Sequence, residues 1–123
     1  MAVQTVLVVD DDPVIVKLLQ VNFEMEGYHV ITAGDGEEGL ARARADSPDI
    51  VLLDVMMPKM DGLQVATALK GDPATNAIPI LLLSAKAQAA DVQAGKDVAD
   101  DYITKPFDPL ELLDRVARIL AAP

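Results

Sequence analysis

The stretch VLVVDDDP, residues 6–13, decides how the rest of the chain is read. Four consecutive apolar, mostly β-branched residues mark a strand covered on both faces, because a half-exposed strand would alternate apolar and polar positions. Three aspartates follow, and the last stands directly before Pro13, an N-cap followed by proline at the first helical position. A buried strand that hands over to a helix through an acidic turn is the opening of a parallel α/β unit.

The same reading extends outward. Residues 50–53 (IVLL) and 78–83 (IPILLL) are further short apolar runs bounded by turn residues, and residues 28–33 and 102–104 are weaker strands suited to the sheet edges. Helix signals lie between them. Val14, Ile15, Leu18, Leu19 and Phe23 supply an apolar face to the first helix. Asp35 with Glu38, Asp61 with Gln64 and Asp108 with Glu111 have the spacing of capping boxes. The last helix runs through Leu113, Val116, Ala117 and Leu120. A fourth helix over residues 87–98 has only Val92 as a strong anchor and contains Gly95, so it should be the least firmly packed. Strand and helix repeated five times, without linker or internal repeat, predict one domain over residues 1–123: a doubly wound α/β sandwich on a parallel five-stranded sheet.

Composition narrows the function. A formal charge of -10 disfavours direct binding to nucleic acid or to an anionic membrane surface. With no cysteine and the single His29, disulfides, thiolate nucleophiles and Cys- or His-rich metal sites are excluded. The absence of a basic leader before the first apolar run, and of any apolar run near the ~18 residues of a membrane span, makes a cytoplasmic chain the expectation.

Doubly wound sheets bind ligands beyond the carboxyl ends of their strands. Those ends carry Asp10, Asp11 and Asp12, then Asp54, Ser84 and Lys105. Asp12 reads as a helix cap; each of the others alone could be an ordinary loop or surface residue, and only their joint placement on one rim makes a site. Carboxylates within ~4 Å repel by several kcal/mol at an effective dielectric of ~20 and need a counter-charge. All-oxygen ligands with part of the shell left to water suit Mg²⁺ better than Ca²⁺. Such an arrangement serves phosphoryl chemistry on an aspartate, with Lys105 and Ser84 stabilising phosphoryl oxygens.

A competing motif needs weighing. Residues 34–39 (GDGEEG) match the G-x-G-x-x-G dinucleotide fingerprint, and Asp54 stands about where its ribose-binding acid belongs. A pyrophosphate there would meet Asp35, Glu37 and Glu38 at the helix start, where it needs backbone N–H groups and positive potential. Gly34 and Gly36 read instead as easing the turn into a capped helix.

In the motifs VLVVDDD, IVLLDVMMPKMDG, ILLLSA and DDYITKPF, in this order and spacing, the chain resembles the receiver domains of two-component response regulators over essentially its whole length. The resemblance implies a flavodoxin-like fold, CheY-like, with strand order 2-1-3-4-5. It implies Asp54 as phosphoacceptor from a sensor histidine kinase, a phosphotransfer protein or a small phosphodonor. Asp10, Asp11, Asp54 and the backbone carbonyl of Met56 would hold Mg²⁺. Lys105 would bond the phosphoryl group, Ser84 and Tyr102 would switch, and the Lys105-Pro106 bond would be cis. Phosphorylation would then change the surface of helix four, strand five and helix five for a downstream protein or output domain, in a monomer or a phosphorylation-dependent dimer.

The chain departs from the family pattern at Val98, which deprives helix four of a terminal glycine, and at Gly39, where alanine is usual. Met56 and Lys86 occupy positions that tune phosphoryl lifetime in the family; Met56 cannot orient a water, which implies slow self-dephosphorylation. Two other functions compete. A Mg²⁺-dependent aspartyl phosphatase or phosphotransferase would carry an Asp-x-Asp pair and a cap insertion, both missing from LLDVMMP, and a phosphorylation-independent interaction module has no need of the intact acid, lysine and serine set.

Overall fold

The computed structural model describes residues 3–86 and 88–121. Ten elements alternate: β1 (Thr5–Val9), α1 (Pro13–Met25), β2 (His29–Ala33), α2 (Gly36–Asp46), β3 (Ile50–Asp54), α3 (Gly62–Lys70), β4 (Ile80–Ser84), α4 (Ala89–Val98), β5 (Asp101–Thr104) and α5 (Pro109–Ala121). All strands are parallel in the order β2-β1-β3-β4-β5, so the two weaker strands do form the edges. The order reverses at β1, which pairs with both β2 and β3. Between the carboxyl ends of β1 and β3 lies the crevice expected of this topology.

Side chains alternate across the sheet with the period of two that strands impose. Val6, Val8, Ile50, Leu52, Leu81 and Leu83 face α1 and α5, where Leu19, Phe23, Leu112 and Val116 close one core. Leu7, Val9, Val51, Leu53, Ile80 and Leu82 face α2, α3 and α4. Burial on both sides accounts for the continuous apolar runs in the sequence.

Several details differ from the sequence reading. In α1 the face turns so that Leu19 and Phe23 are buried, while Val14 is 73% exposed and Leu18 is also exposed. This helix is apolar around much of its circumference, so spacing alone does not fix its orientation. In α5 the buried pair is Leu112 and Val116, and Ala117 faces solvent. Of the three capping boxes, Asp61 with Gln64 is complete, each side chain taking the other residue's backbone N–H at 2.9 and 3.0 Å. Asp35 accepts from the N–H of Glu38, but Glu38 reaches one residue further back, to the N–H of Gly34 at 2.6 Å. Asp108 accepts from Leu110 N–H, and Glu111 pairs with Arg115 instead.

Helix α4 starts at Ala89; the first residue of the expected segment, Ala87, lies outside the described residues. Its N-cap Gln88 makes no side-chain capping bond, and without a glycine beyond Val98 it ends on an extended Ala99. Gly39, where alanine is usual in the family, is a close-approach position: a Cβ there would stand 2.9 Å from both methyls of Val9. It lets α2 approach β1. Gly36 is likewise a close-approach position, where a Cβ would stand 2.7 Å from the Met60 carbonyl oxygen, rather than a turn glycine.

Candidate functional site

Three strands deliver the site. Asp10 directly follows β1 and is 1% exposed; its Oδ1 accepts the backbone N–H of Asp12 at 2.9 Å, which fixes the carboxylate inward. Asp54 ends β3 and is 4% exposed, and Asp11 stands beside them in solvent. One carboxylate oxygen from each of Asp10, Asp11 and Asp54 lies within 4.8 Å of the others. Gly62 makes this possible at the base of the crevice: a Cβ there would be 2.3 Å from the carbonyl oxygen of Asp54, so only glycine lets α3 start against the end of β3.

Lys105 reaches in from the end of β5. Its ammonium donates to Asp10 Oδ2 at 3.0 Å and to Asp54 Oδ1 at 3.2 Å, bridging the two buried acids. Burial opposes its charge, but the hydrogen bond to Asp10 and the field of both carboxylates outweigh this and raise its pKa above the ordinary lysine value. The pKa of Asp54 is raised as well, which for a carboxyl group disfavours the charged form. Burial first and the neighbouring Asp10 second push its pKa up to about 6, with Lys105 and the N–H of Met56 pulling back. The rim is thus short of positive charge.

The donors offered to a cation are all oxygens, two of them carboxylates with little competing hydration, and the cluster fits a hard divalent ion. Both protein bonds to Asp54, from Lys105 and from Met56 N–H at 3.4 Å, fall on Oδ1. Among the described residues nothing donates to Oδ2, which leaves that oxygen's lone pairs available to an electrophile.

Ser84 ends β4 and is wholly buried, with Oγ accepting the N–H of Lys86 at 3.0 Å. Tyr102 is also inside: it is 6% exposed and its hydroxyl donates to the carbonyl of Lys86 at 2.8 Å. The ring of Tyr102, one of the two residues the resemblance makes a switch, therefore occupies a buried position. The side chain of Met56 is more than half exposed above the crevice. The Lys105-Pro106 bond is cis. Every residue singled out along the strand ends therefore stands at one end of the sheet, with Asp12 acting as the α1 cap, accepting from Val14 N–H. What sequence reasoning missed is the Lys105 bridge to Asp10 and the contact between Tyr102 and Gly95.

The GDGEEG stretch caps α2, with acidic Glu37 and Glu38 in its first turn. Its helix start holds its own carboxylates where a pyrophosphate would have to sit.

Known proteins resemble this chain in sequence and fold. Residues 6–117 match the family described as response regulator receiver domain. The chain is 50% identical over 116 residues to the alkaline phosphatase synthesis transcriptional regulatory protein PhoP of Bacillus subtilis, covering 94% of this chain and 48% of that one. It is 47% identical to the DNA-binding dual master transcriptional regulator RpaA of Synechocystis, again over 94% of this chain and 48% of the other. The chain spans about half the length of these curated relatives. Among solved structures, the chemotaxis protein CheY4 of Vibrio cholerae superposes with a TM-score of 0.90 at 35% identity, over 96% of this chain and 99% of that one. A putative response regulator from Chloroflexus aurantiacus gives 0.93 at 37% identity, over 98% and 100%. The strand order and these likenesses agree, and the chain belongs to the receiver domains of two-component response regulators.

Proposed function

We propose that Asp54 is the phosphoacceptor of this receiver domain and that Mg²⁺ is its cofactor. The observation that carries the reading is the convergence of Asp10, Asp11, Asp54 and Lys105 at the ends of β1, β3 and β5. Asp54 Oδ2 attacks the phosphorus of a phosphohistidine, or of acetyl phosphate; the P–N or P–O bond breaks and the donor departs with its electron pair. Asp10, Asp11, Asp54 and the carbonyl of Met56 would hold Mg²⁺, which when bound neutralises phosphoryl oxygens as charge gathers on them. Lys105 exchanges its bond to Asp54 for one to a phosphoryl oxygen while keeping Asp10, so the ammonium remains paired throughout. Ser84 donates its hydroxyl proton to another of these oxygens.

The domain is regulatory, and it assists only its own phosphorylation and dephosphorylation. Phosphorylation adds about -1.5 to -2 charge at Asp54, and the response of Ser84 and Tyr102 reshapes the surface of α4, β5 and α5 for a downstream protein or output domain. A cytoplasmic sensor histidine kinase or phosphotransfer protein is the donor, and the domain itself makes no direct contact with nucleic acid or membrane. Among the described residues, no helix is long and apolar enough to cross a membrane. Met56 and Lys86 set the lifetime of the phosphoryl group. Because a thioether cannot orient an attacking water, Met56→Asn should raise the rate of phosphoryl loss; an unchanged rate removes that role.

Incubation with acetyl phosphate and Mg²⁺, followed by intact mass measurement, tests the function. Gain of one phosphoryl group supports the receiver. Catalytic turnover of unrelated phosphoesters would make it an aspartyl phosphatase, and no reaction would make it a phosphorylation-independent module.

A further inference from the structure

The burial of Tyr102 depends on a residue that takes no part in the chemistry. Its ring lies against α4 at Gly95, itself buried in mid-helix. A Cβ built on Gly95 would stand 2.3 Å from Tyr102 Cδ2, 2.6 Å from Cε2 and 3.1 Å from Leu82 Cδ1. Non-bonded carbons prefer roughly 3.5–4.0 Å, so even alanine cannot coexist with the ring unless ring or helix moves. Glycine is otherwise a poor choice for a helix interior, and α4 already lacks a side-chain N-cap. The helix with the weakest local support has its glycine where the phenol ring needs room.

The ring's hydroxyl is tied to the phosphoryl pocket through one residue. Tyr102 donates to the Lys86 carbonyl, and the Lys86 N–H donates to Ser84 Oγ. With a lone pair of Ser84 engaged in this way, its hydroxyl proton remains available for donation. We propose that Gly95 is a positioning residue: it forms the socket that holds Tyr102 inward and thereby, through Lys86, presets Ser84 as a donor. The ring and α4 are interlocked, so neither leaves this arrangement alone. The socket stands on geometry only; its coupling to phosphoryl binding rests on the function proposed above.

The test uses a Tyr28→Phe parent, in which Tyr102 is the sole tyrosine of a chain without tryptophan. Adding Gly95→Ala should raise acrylamide quenching of Tyr102 fluorescence toward that of free tyrosine, and unchanged quenching overturns the socket. Beryllofluoride with Mg²⁺, titrated by calorimetry, should bind roughly fivefold or more weakly to the Gly95→Ala variant; equal affinity overturns the coupling to Ser84. If Gly95→Ala does not fold, a stability comparison decides: Gly95→Ala combined with Tyr102→Ala should be at least as heat-stable as Tyr102→Ala alone, and a further loss in the double variant refutes the interlock. Failure of the parent itself to bind beryllofluoride overturns the phosphoacceptor reading and its coupling, while the quenching and stability results still decide the socket.

Discussion

Replacing Asp54 by asparagine should stabilise the metal-free protein at neutral pH. The fold raises the Asp54 pKa from 3.8 to about 6, through burial first and the charge of Asp10 second. The native state therefore binds this proton more tightly than the unfolded chain. Its stabilising effect is complete below the unfolded value and is lost as pH rises through about 6. At pH 7.5 the ionised carboxylate costs up to about 3 kcal/mol relative to a neutral group of the same shape. Asparagine is that group. Its carbonyl can accept from Lys105 as Oδ1 does, and its amide can donate toward Asp10. For a domain of this size about 3 kcal/mol corresponds to a Tm increase of about 10 °C. The advantage of Asp54→Asn should shrink by about 1.4 kcal/mol between pH 7.5 and pH 5, as the wild-type carboxyl takes up its proton. Urea denaturation at both pH values in the presence of a chelator measures this directly. Excess Mg²⁺ should narrow the difference at pH 7.5, since it binds the wild-type cluster better. A variant no more stable than wild type at pH 7.5 without metal, or an advantage that does not change with pH, would refute the reasoning.

Three further outcomes follow from the same contacts. Lys105→Ala removes the cation that bridges Asp10 and Asp54; Mg²⁺ affinity by calorimetry should rise while the rate of phosphorylation by acetyl phosphate falls, and weaker Mg²⁺ binding would contradict the picture of an electron-rich rim held by lysine. Gly62→Ala forces a methyl onto the Asp54 carbonyl and should cost about 3 kcal/mol or more in urea, whereas Gly34→Ala, whose new methyl would meet nothing closer than 4.0 Å, should be close to neutral. Gly39→Ala gains helix propensity of up to ~1 kcal/mol yet should still destabilise, because the rigid, wholly buried Val9 cannot yield; a stabilised variant would show that α2 can move away from β1.

The strands were legible because parallel pairing buries both faces, so residues 6–9 and 50–53 are apolar without interruption. The site was legible for a related reason: polar residues that interrupt such runs at the carboxyl end of a strand, Asp10, Asp54 and Ser84, have few structural roles there. Orientation of α1 was not legible. Val14, Ile15, Val16, Leu18, Leu19, Val21 and Phe23 cover most of its circumference, and only packing against Val6 and Val8 selects Leu19 and Phe23. The glycines were misread for a different reason. Gly36, Gly39 and Gly95 are set by contacts with Met60, Val9 and Tyr102 on other elements, and local sequence carries no record of such approaches. Helix caps fell between these cases: Asp12, Asp35 and Asp61 cap through neighbouring backbone as the sequence implies, but Glu111 is drawn from its capping role by Arg115, one turn away.

The most direct test of the phosphoacceptor claim is reductive trapping. After phosphorylation by acetyl phosphate with Mg²⁺, borohydride converts an aspartyl phosphate to homoserine, and peptide fragmentation locates the converted residue. The account predicts homoserine at position 54 alone, and none in Asp54→Asn. Conversion at Asp10 or Asp11, or an undiminished phosphoryl gain in the Asp54→Asn protein, would contradict it.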